Sequence, residues 1–285
     1  MYWAFNKAPY LLAVAAAALP AIASGASGVV SATGYGRDSS EAIISLLRSV
    51  VSKHFSEEPA SLTKQILQAE IQPNASSFVQ SYKILEGGKK PSVSLSANVD
   101  LDVIGALLRL TPAELGEPAG ARARALVVVK GAKLPEAADS AKAGATAANP
   151  YVVLEGGAKE RFSRRQFDVA GLSSEEMAAL GPGDDVSSPE LLRGLGARAG
   201  ARLALGISSR YESFENENSH NREQRLVVTA VMVDVKAGNV LGRSSVQVQE
   251  PKSRREQYVS DLQKSLGEDA KDLFHDVFVS AGKRL

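Results

Sequence analysis

The sequence predicts an α/β (α+β) protein in two parts, a small α+β domain over residues 24–110 and an α/β domain with a mixed sheet over residues 125–285. Three stretches carry that expectation. In "SVSLSANVDL", residues 92–101, Val93, Leu95, Ala97, Val99 and Leu101 alternate with polar residues, so one face of a strand is packed and the other wet. "ALVVVK", residues 125–130, is a continuous apolar run of the kind found in strands buried on both faces. Near the C-terminus Val259, Leu262, Leu266, Ala270, Leu273, Val277 and Ala281 recur at helical spacing and mark one long amphipathic helix.

The elements follow in order. Residues 1–23 have a signal-peptide layout: Lys7, then the short apolar run "LLAVAAAALPAIA", then small residues with Ala21 and Ala23 in an A-x-A arrangement. That places the mature chain in the periplasm, with no transmembrane span left after cleavage. "GVVSATGYG" reads as a strand ending in glycines. Asp38, three residues before Glu41, reads as the cap of a helix from about 39 to 55 along Ile43, Leu47 and Val50. Pro59 separates it from a short helix in "SLTKQILQAEI". "SFVQSYKIL", the glycine turn "EGGKKP" and "SVSLSANVDL" make a hairpin, and "DVIGALLRL" is a helix. Residues 111–124, "TPAELGEPAGARAR", are rich in Pro, Gly and Ala and are expected to link the two parts.

In the second part, Asn149-Pro150 is a helix start with Asn at the cap and Pro at the first turn. The helix continues through "YVVLEGGAKERFSRR", and "QFDVAGL" is a short strand. Ser188-Pro189 opens the helix "SPELLRGLGARAGA". "RLALGISSRY", "RLVVTAVMVDV" and "NVLGRSSVQVQ" are strands. Between the first two lies the polar stretch Glu212–Gln224, expected to be a projecting loop longer than ordinary hairpin connections. Phe214 is its large apolar residue and, with Glu215 and Glu217, is the expected partner contact.

Composition closes several function classes. The chain has 285 residues, 44% of them apolar, and a net charge of +1, so it has no field with which to gather nucleic acid. It has no cysteine, which removes disulfides, thiolate metal sites, cysteine nucleophiles and a lipobox anchor. Gly34-Tyr35-Gly36 suggests a nucleotide-binding turn, but the third glycine position holds Ser39, and Glu57 and Glu58 follow a helix instead of a strand. The glycines are expected to let the chain turn from strand to helix. His54, His220 and His275 stand in no chelating spacing. Asp184, Asp185, Ser187 and Ser188 in "GPGDDVSSP" read as a helix-capping loop, and Asn74-Ala75-Ser76 as a chance sequon. No catalytic, cofactor or metal residue is expected, and the chain reads as non-enzymatic.

Two resemblances sharpen this. "ALVVVK", "FDVAGL" and "GLGARAGARLALGISSRY", with Arg202 in place of the usual Asp, resemble the small α/β module at the N-terminus of TolB and related envelope-assembly proteins. So does "LVVTAVMVDVKAGNVLGRSSVQV", with its D-x-x-x-G-x-x-L turn at Asp234, Gly238 and Leu241. "VVSATGYG", "AIISLLRSVV" and "VSLSANVDL" resemble the N-terminal domain of the flagellar assembly protein T family, which joins such a domain to a TolB-like one. The usual third, C-terminal domain of that family has no room before Leu285. The resemblance implies a ring-forming component of the flagellar basal body that meets the rod, the bushing of P and L rings, and other disc proteins. It equally admits a TolB-like envelope-assembly or polymer-regulating factor with no flagellar tie.

Overall fold

The computed structural model describes residues 28–56, 60–85, 93–118, 122–133, 149–181, 183–215, 222–248 and 255–285. The expected signal peptide therefore lies outside the described residues, as do Glu57, Glu58, Glu217 and His220. The fold is α+β. It divides into two compact units, one of residues up to Pro59 with Leu67–Asp102, the other of Ala60–Ile66 with Val103–Leu285.

The first unit is a three-stranded antiparallel sheet with a helix on one face. β1 (Val29–Gly36) and β2 (Val79–Ile84) flank β3 (Val93–Asp100), in the order β1-β3-β2. The alternation of β3 sorts its side chains as expected: Leu95, Ala97 and Val99 are buried. They pack under α1 (Ser39–His54), whose Ala42, Leu46, Leu47, Val50 and Val51 form the other half of the core. The Asp38 carboxylate accepts the Glu41 amide at 2.8 Å and caps α1. The Glu41 carboxylate takes the Arg37 amide at 2.7 Å, one residue earlier than in a standard capping box.

Gly34 and Gly36 are not turn residues. Both lie within β1, and neither has positive φ. A Cβ at Gly34 would stand 2.1 Å from the Ala42 carbonyl oxygen, and one at Gly36 2.4 Å from the Ala42 amide nitrogen. They are glycine because α1 lies directly on the strand there. After α1 the unit resumes with a π-helical turn over Leu67–Ile71 and a 3-10 turn over Ala75–Phe78. Asn74 of the sequon donates to the Glu70 carbonyl at 3.0 Å, a local structural bond.

The second unit is built on a five-stranded mixed sheet in the order β5-β4-β6-β7-β8. β4 (Arg124–Lys130) runs parallel to β5 (Asp168–Gly171) and to β6 (Leu203–Glu215), while β7 (Arg222–Asp234) and β8 (Val240–Val248) extend the sheet antiparallel. α2 (Ala60–Ile66) and the later part of α3 (Leu101–Arg109) belong to this unit. So do residues 111–118, the first half of the expected linker: Leu110 and Leu115 are buried, and the Leu115 carbonyl accepts from Arg202 at 3.2 Å.

One face of the sheet carries α4 (Val152–Arg164) and α7 (Arg255–Gly282), the other α6 (Pro189–Arg198). The stripe of α7 is buried from Leu262 to Ala281. The ring of Phe278 lies 5.2 Å from that of Phe162, and the buried Arg165 guanidinium covers Phe278 at 4.7 Å. α4 begins later than expected. Asn149 accepts the Tyr151 amide at 3.0 Å, so Asn149-Pro150 forms a turn and Tyr151 occupies the cap. α5 (Ser174–Ala179) is an additional short helix with a complete capping box of Ser173 and Glu176.

Candidate functional site

In an open α/β sheet, ligands enter at the carboxyl ends of parallel strands where successive connections leave for opposite faces. Here β4 leads to α4 on one face and β5 leads to α5 and α6 on the other, so that place lies beyond Lys130 and Gly171. It is filled by the protein's own groups. Lys130 Nζ donates to the Gly181 carbonyl at 2.6 Å and the Asp184 carbonyl at 2.7 Å, drawing the loop 181–188 toward the strand end. Tyr151 is 5% exposed and lies against Gly131, where a Cβ would be 2.0 Å from the ring. Its hydroxyl donates to the Ala132 carbonyl at 3.2 Å, and the Ala132 amide donates to Ser209 Oγ at 2.7 Å.

The loop is equally close to β6. A Cβ on Gly206 would be 1.8 Å from the Val186 carbonyl oxygen and 2.8 Å from Leu192 Cδ2. Val186 is buried in a cluster with Leu126, Val128, Leu192 and Val231. Asp184 accepts the Gly181 amide at 2.7 Å. Asp185 accepts the Ser187 amide at 2.9 Å and its hydroxyl at 2.6 Å. Ser208 Oγ in turn donates to Ser187 Oγ at 3.0 Å. The expected capping role is thus only positional: Ser188 stands at the N-cap of α6, but its hydroxyl donates to Glu190 at 2.9 Å and caps nothing.

The chemistry of this Ser–Ser–Asp chain is not that of an activated nucleophile. Burial raises the Asp185 pKa, and the hydrogen bonds from Ser187 and Ser208 with the nearby Arg210 charge more than reverse it, leaving the carboxyl below its ordinary value. A depressed carboxylate is a weak general base. Ser187 is 4% exposed, so an incoming substrate does not reach its hydroxyl as the loop stands.

At the opposite end of the sheet, Arg202 occupies the position where the resemblance expects Asp. Its guanidinium pairs with the Asp234 carboxylate and lies 3.2 Å from Glu117. Asp234 also accepts the Ala237 amide at 2.8 Å and so closes the β7–β8 turn, where Gly238 takes positive φ. The acidic partner is supplied by the turn, which leaves the basic residue on the strand.

The expected contact residues of the hairpin are arranged differently from a loop. The β6–β7 ladder continues through Glu212–Glu215 and Arg222–Gln224, with Phe214 opposite Glu223 and Glu215 opposite Arg222. Glu212 lies opposite Arg225 in register, but its carboxylate pairs with Arg210 on its own strand at 2.6 Å, and Arg225 donates to Gln247 of β8 at 2.8 Å. Only residues 216–221, with Glu217, lie outside the described residues. β4 pairs with β6 as far as Ser208 and β8 with β7 as far as Leu226, so the ladder beyond them is a two-stranded ribbon. His54 is half-buried on α1, where burial and then the Lys53 charge hold its imidazole below the ordinary value. Among the described residues, no three His, Asp or Glu side chains are grouped to hold a metal ion. Among those same residues, no helix is long and apolar enough to cross a membrane.

Fold and site together define a two-unit α+β protein whose mixed-sheet unit has its strand-end crevice filled from within. No family model matches the chain, and no curated protein matches it. Solved structures similar to it include lipoprotein GNA1162 from Neisseria meningitidis, at 12% identity over 53% of this chain and 99% of that one, TM-score 0.26. The LpoB C-terminal domain from Salmonella enterica is 14% identical over 46% of this chain and 86% of its own, TM-score 0.23. The PelC dodecamer from Paraburkholderia phytofirmans is 18% identical over 53% and 89%, TM-score 0.24. At these scores the likenesses carry no argument about what this chain does.

Proposed function

We propose that the protein is an exported, non-enzymatic factor of the bacterial envelope that works by binding other proteins. The observation that carries the reading is the filled crevice. Lys130, Tyr151 and Val186 occupy the place where an α/β unit would take a small ligand, and the two-stranded ribbon ending at Glu215 and Arg222 extends past both of its neighbours. Export is supported by the signal-peptide layout of residues 1–23, and an assembly role by the TolB-like residues of the second unit. The ribbon, with Phe214, Glu215 and Glu217, is the assigned contact. A deletion strain tests this. It should show an envelope defect that the intact gene repairs and a gene lacking residues 212–225 does not, both chains being exported equally. Full repair by the shortened gene refutes the contact, and a deletion strain with an intact envelope refutes the function.

The narrower reading is a ring-forming subunit of the flagellar basal body, in contact with the rod, its bushing and the disc proteins. It rests on "VVSATGYG", "AIISLLRSVV" and "VSLSANVDL" of the first unit. Swimming lost on deletion, with a disc missing from electron cryotomograms of the motor, supports it. Normal swimming with a complete disc refutes it and leaves the broader reading standing.

A further inference from the structure

We propose that β1, an end strand of the first sheet with no further strand beside it among the described residues, is a self-complementary edge through which two copies of this chain join, antiparallel about a twofold axis, into one six-stranded sheet. This does not depend on the functional reading above. The two edges of the first sheet are built differently. β2 carries the devices that discourage pairing, a register shift between Val79 and Ser81 and a lysine, Lys83, along its length. β1 carries none: "VVSATGYG" has no charge and no proline, and its eight residues pair with β3 without a break.

The direction of its backbone groups follows from one bond. The Gly28 carbonyl accepts the Leu101 amide at 2.9 Å, which makes Gly28 and Leu101 a hydrogen-bonded pair. By alternation Val30, Ala32, Gly34 and Gly36 turn their backbone groups to β3, and Val29, Ser31, Thr33 and Tyr35 turn theirs to the open edge. The same four residues point their side chains away from α1, with Val29 47% and Tyr35 51% exposed.

A second β1 fits this edge in one register best. With the twofold axis at Ala32, Val29 lies opposite Tyr35 of the second copy and Ser31 opposite Thr33, and the same pairs recur on the other side. An aromatic ring meets a β-branched side chain twice, hydroxyl meets hydroxyl twice, and about eight backbone hydrogen bonds form. A shift of two residues either way leaves an exposed Val29 or Tyr35 without its counterpart. A strand from a different protein would satisfy the backbone but would not need this internal symmetry of sequence.

The test uses the mature full-length protein in sedimentation equilibrium over about 1–100 µM, the range in which a micromolar association is half-filled. A reversible dimer is expected. Ser31→Lys with Thr33→Lys places like charges opposite each other across the axis, and should weaken the dimer at least about tenfold. Its melting as a monomer should fall only slightly, because both side chains are exposed in the single copy and the one bond lost is the exposed Ser31–Asn98 hydrogen bond of 2.6 Å. The natural chain has no cysteine, so Ala32→Cys gives one thiol, on the axis and about 4.5 Å in Cα distance from its twin. It should join into a disulfide dimer under mild oxidation, and Thr33→Cys, more exposed but off the axis, should do so at least about tenfold more slowly by the same spacing. A monomer throughout the range, a dimer indifferent to the lysines, or equal joining by the two cysteine variants overturns the proposal. So does a dimer that forms only with an added foreign strand.

Discussion

Gly206→Ala is the sharpest probe of the filled crevice. A methyl group at this position would sit 1.8 Å from the Val186 carbonyl oxygen, where ordinary contact needs roughly 3.5 Å. The neighbour is backbone, so rotation of a side chain does not relieve the clash, and the loop 181–188 must withdraw by roughly 1.5 Å. Overpacking of this kind costs about 1–3 kcal/mol. Val186, buried in the wild type, is worth about 1.5–3 kcal/mol when fully covered, and part of that is lost as the loop lifts. A combined loss of about 3 kcal/mol lowers the melting temperature of a unit this size by about 6–12 °C.

Gly194→Ala is the matched control. Gly194 is exposed within α6, with nothing within 4 Å of a Cβ placed there. The same substitution should here add about 1 kcal/mol of helix propensity and raise the melting temperature by about 2–4 °C. Scanning calorimetry of the mature protein reads both. Hydrogen exchange at the Ser187 and Ser188 amides reports whether the loop has lifted. If Gly206→Ala melts with the wild type and those amides stay protected, the packing argument for a closed crevice is wrong.

The remaining predictions concern charge and processing. Arg202→Met leaves the Asp234 carboxylate buried beside the β7–β8 turn without its cation, and should cost about 3–5 kcal/mol in urea unfolding. Asp185 has a depressed folded pKa, so its stabilisation is complete above the ordinary carboxylate range near about 4 and is lost as pH falls through the folded value. Asp185→Asn should therefore destabilise at pH 7, with the deficit closing in acid. Asp269 behaves oppositely: burial, then Asp272 and Glu268, raise its pKa, so its ionisation strains the fold as pH rises. Asp269→Asn should stabilise at pH 7 and be neutral in acid, read by melting temperature at the two pH values. Mass spectrometry of exported protein should find a chain beginning near Ser24, and an intact Met1 would contradict export by cleavage.

What could be read from the sequence depended on whether a segment has one wet face. β3, α1 and α7 each set an apolar stripe against water, so their period is visible in Leu95, Leu47 and Leu266 before any fold is known. Glu212–Gln224, where β6 and β7 run beyond their neighbouring strands, has no apolar period in its sequence and reads as a loop. Its ladder is set by register, which brings Glu212 opposite Arg225 only once the strands pair. α5 was within reach, because Ser173 and Glu176 stand at capping-box spacing. Arg202 and Asp234 were not, being far apart in sequence and joined only by the return of β7 alongside β6.

The glycines show the same limit more sharply. Gly34 and Gly36 read in sequence as a strand-to-helix turn or a nucleotide loop, because glycine is common in both, and Gly206 reads as part of the strand "RLALGISSRY". None of them has positive φ. Each is the point where a second backbone comes so near the strand that a methyl group has no room. At Gly34 and Gly36 that second backbone is α1, which therefore fixes the first core. At Gly206 it is the loop carrying Val186, which helps to close the strand-end crevice. A glycine in a strand thus has opposite meanings, according to whether the space above it is empty or already held by the protein. The identity of the residue cannot distinguish them, since both uses need the same missing Cβ. The distinction lies in the distance from that missing atom to its neighbour, and here that distance turns a nucleotide-like motif into helix packing and a crevice into core.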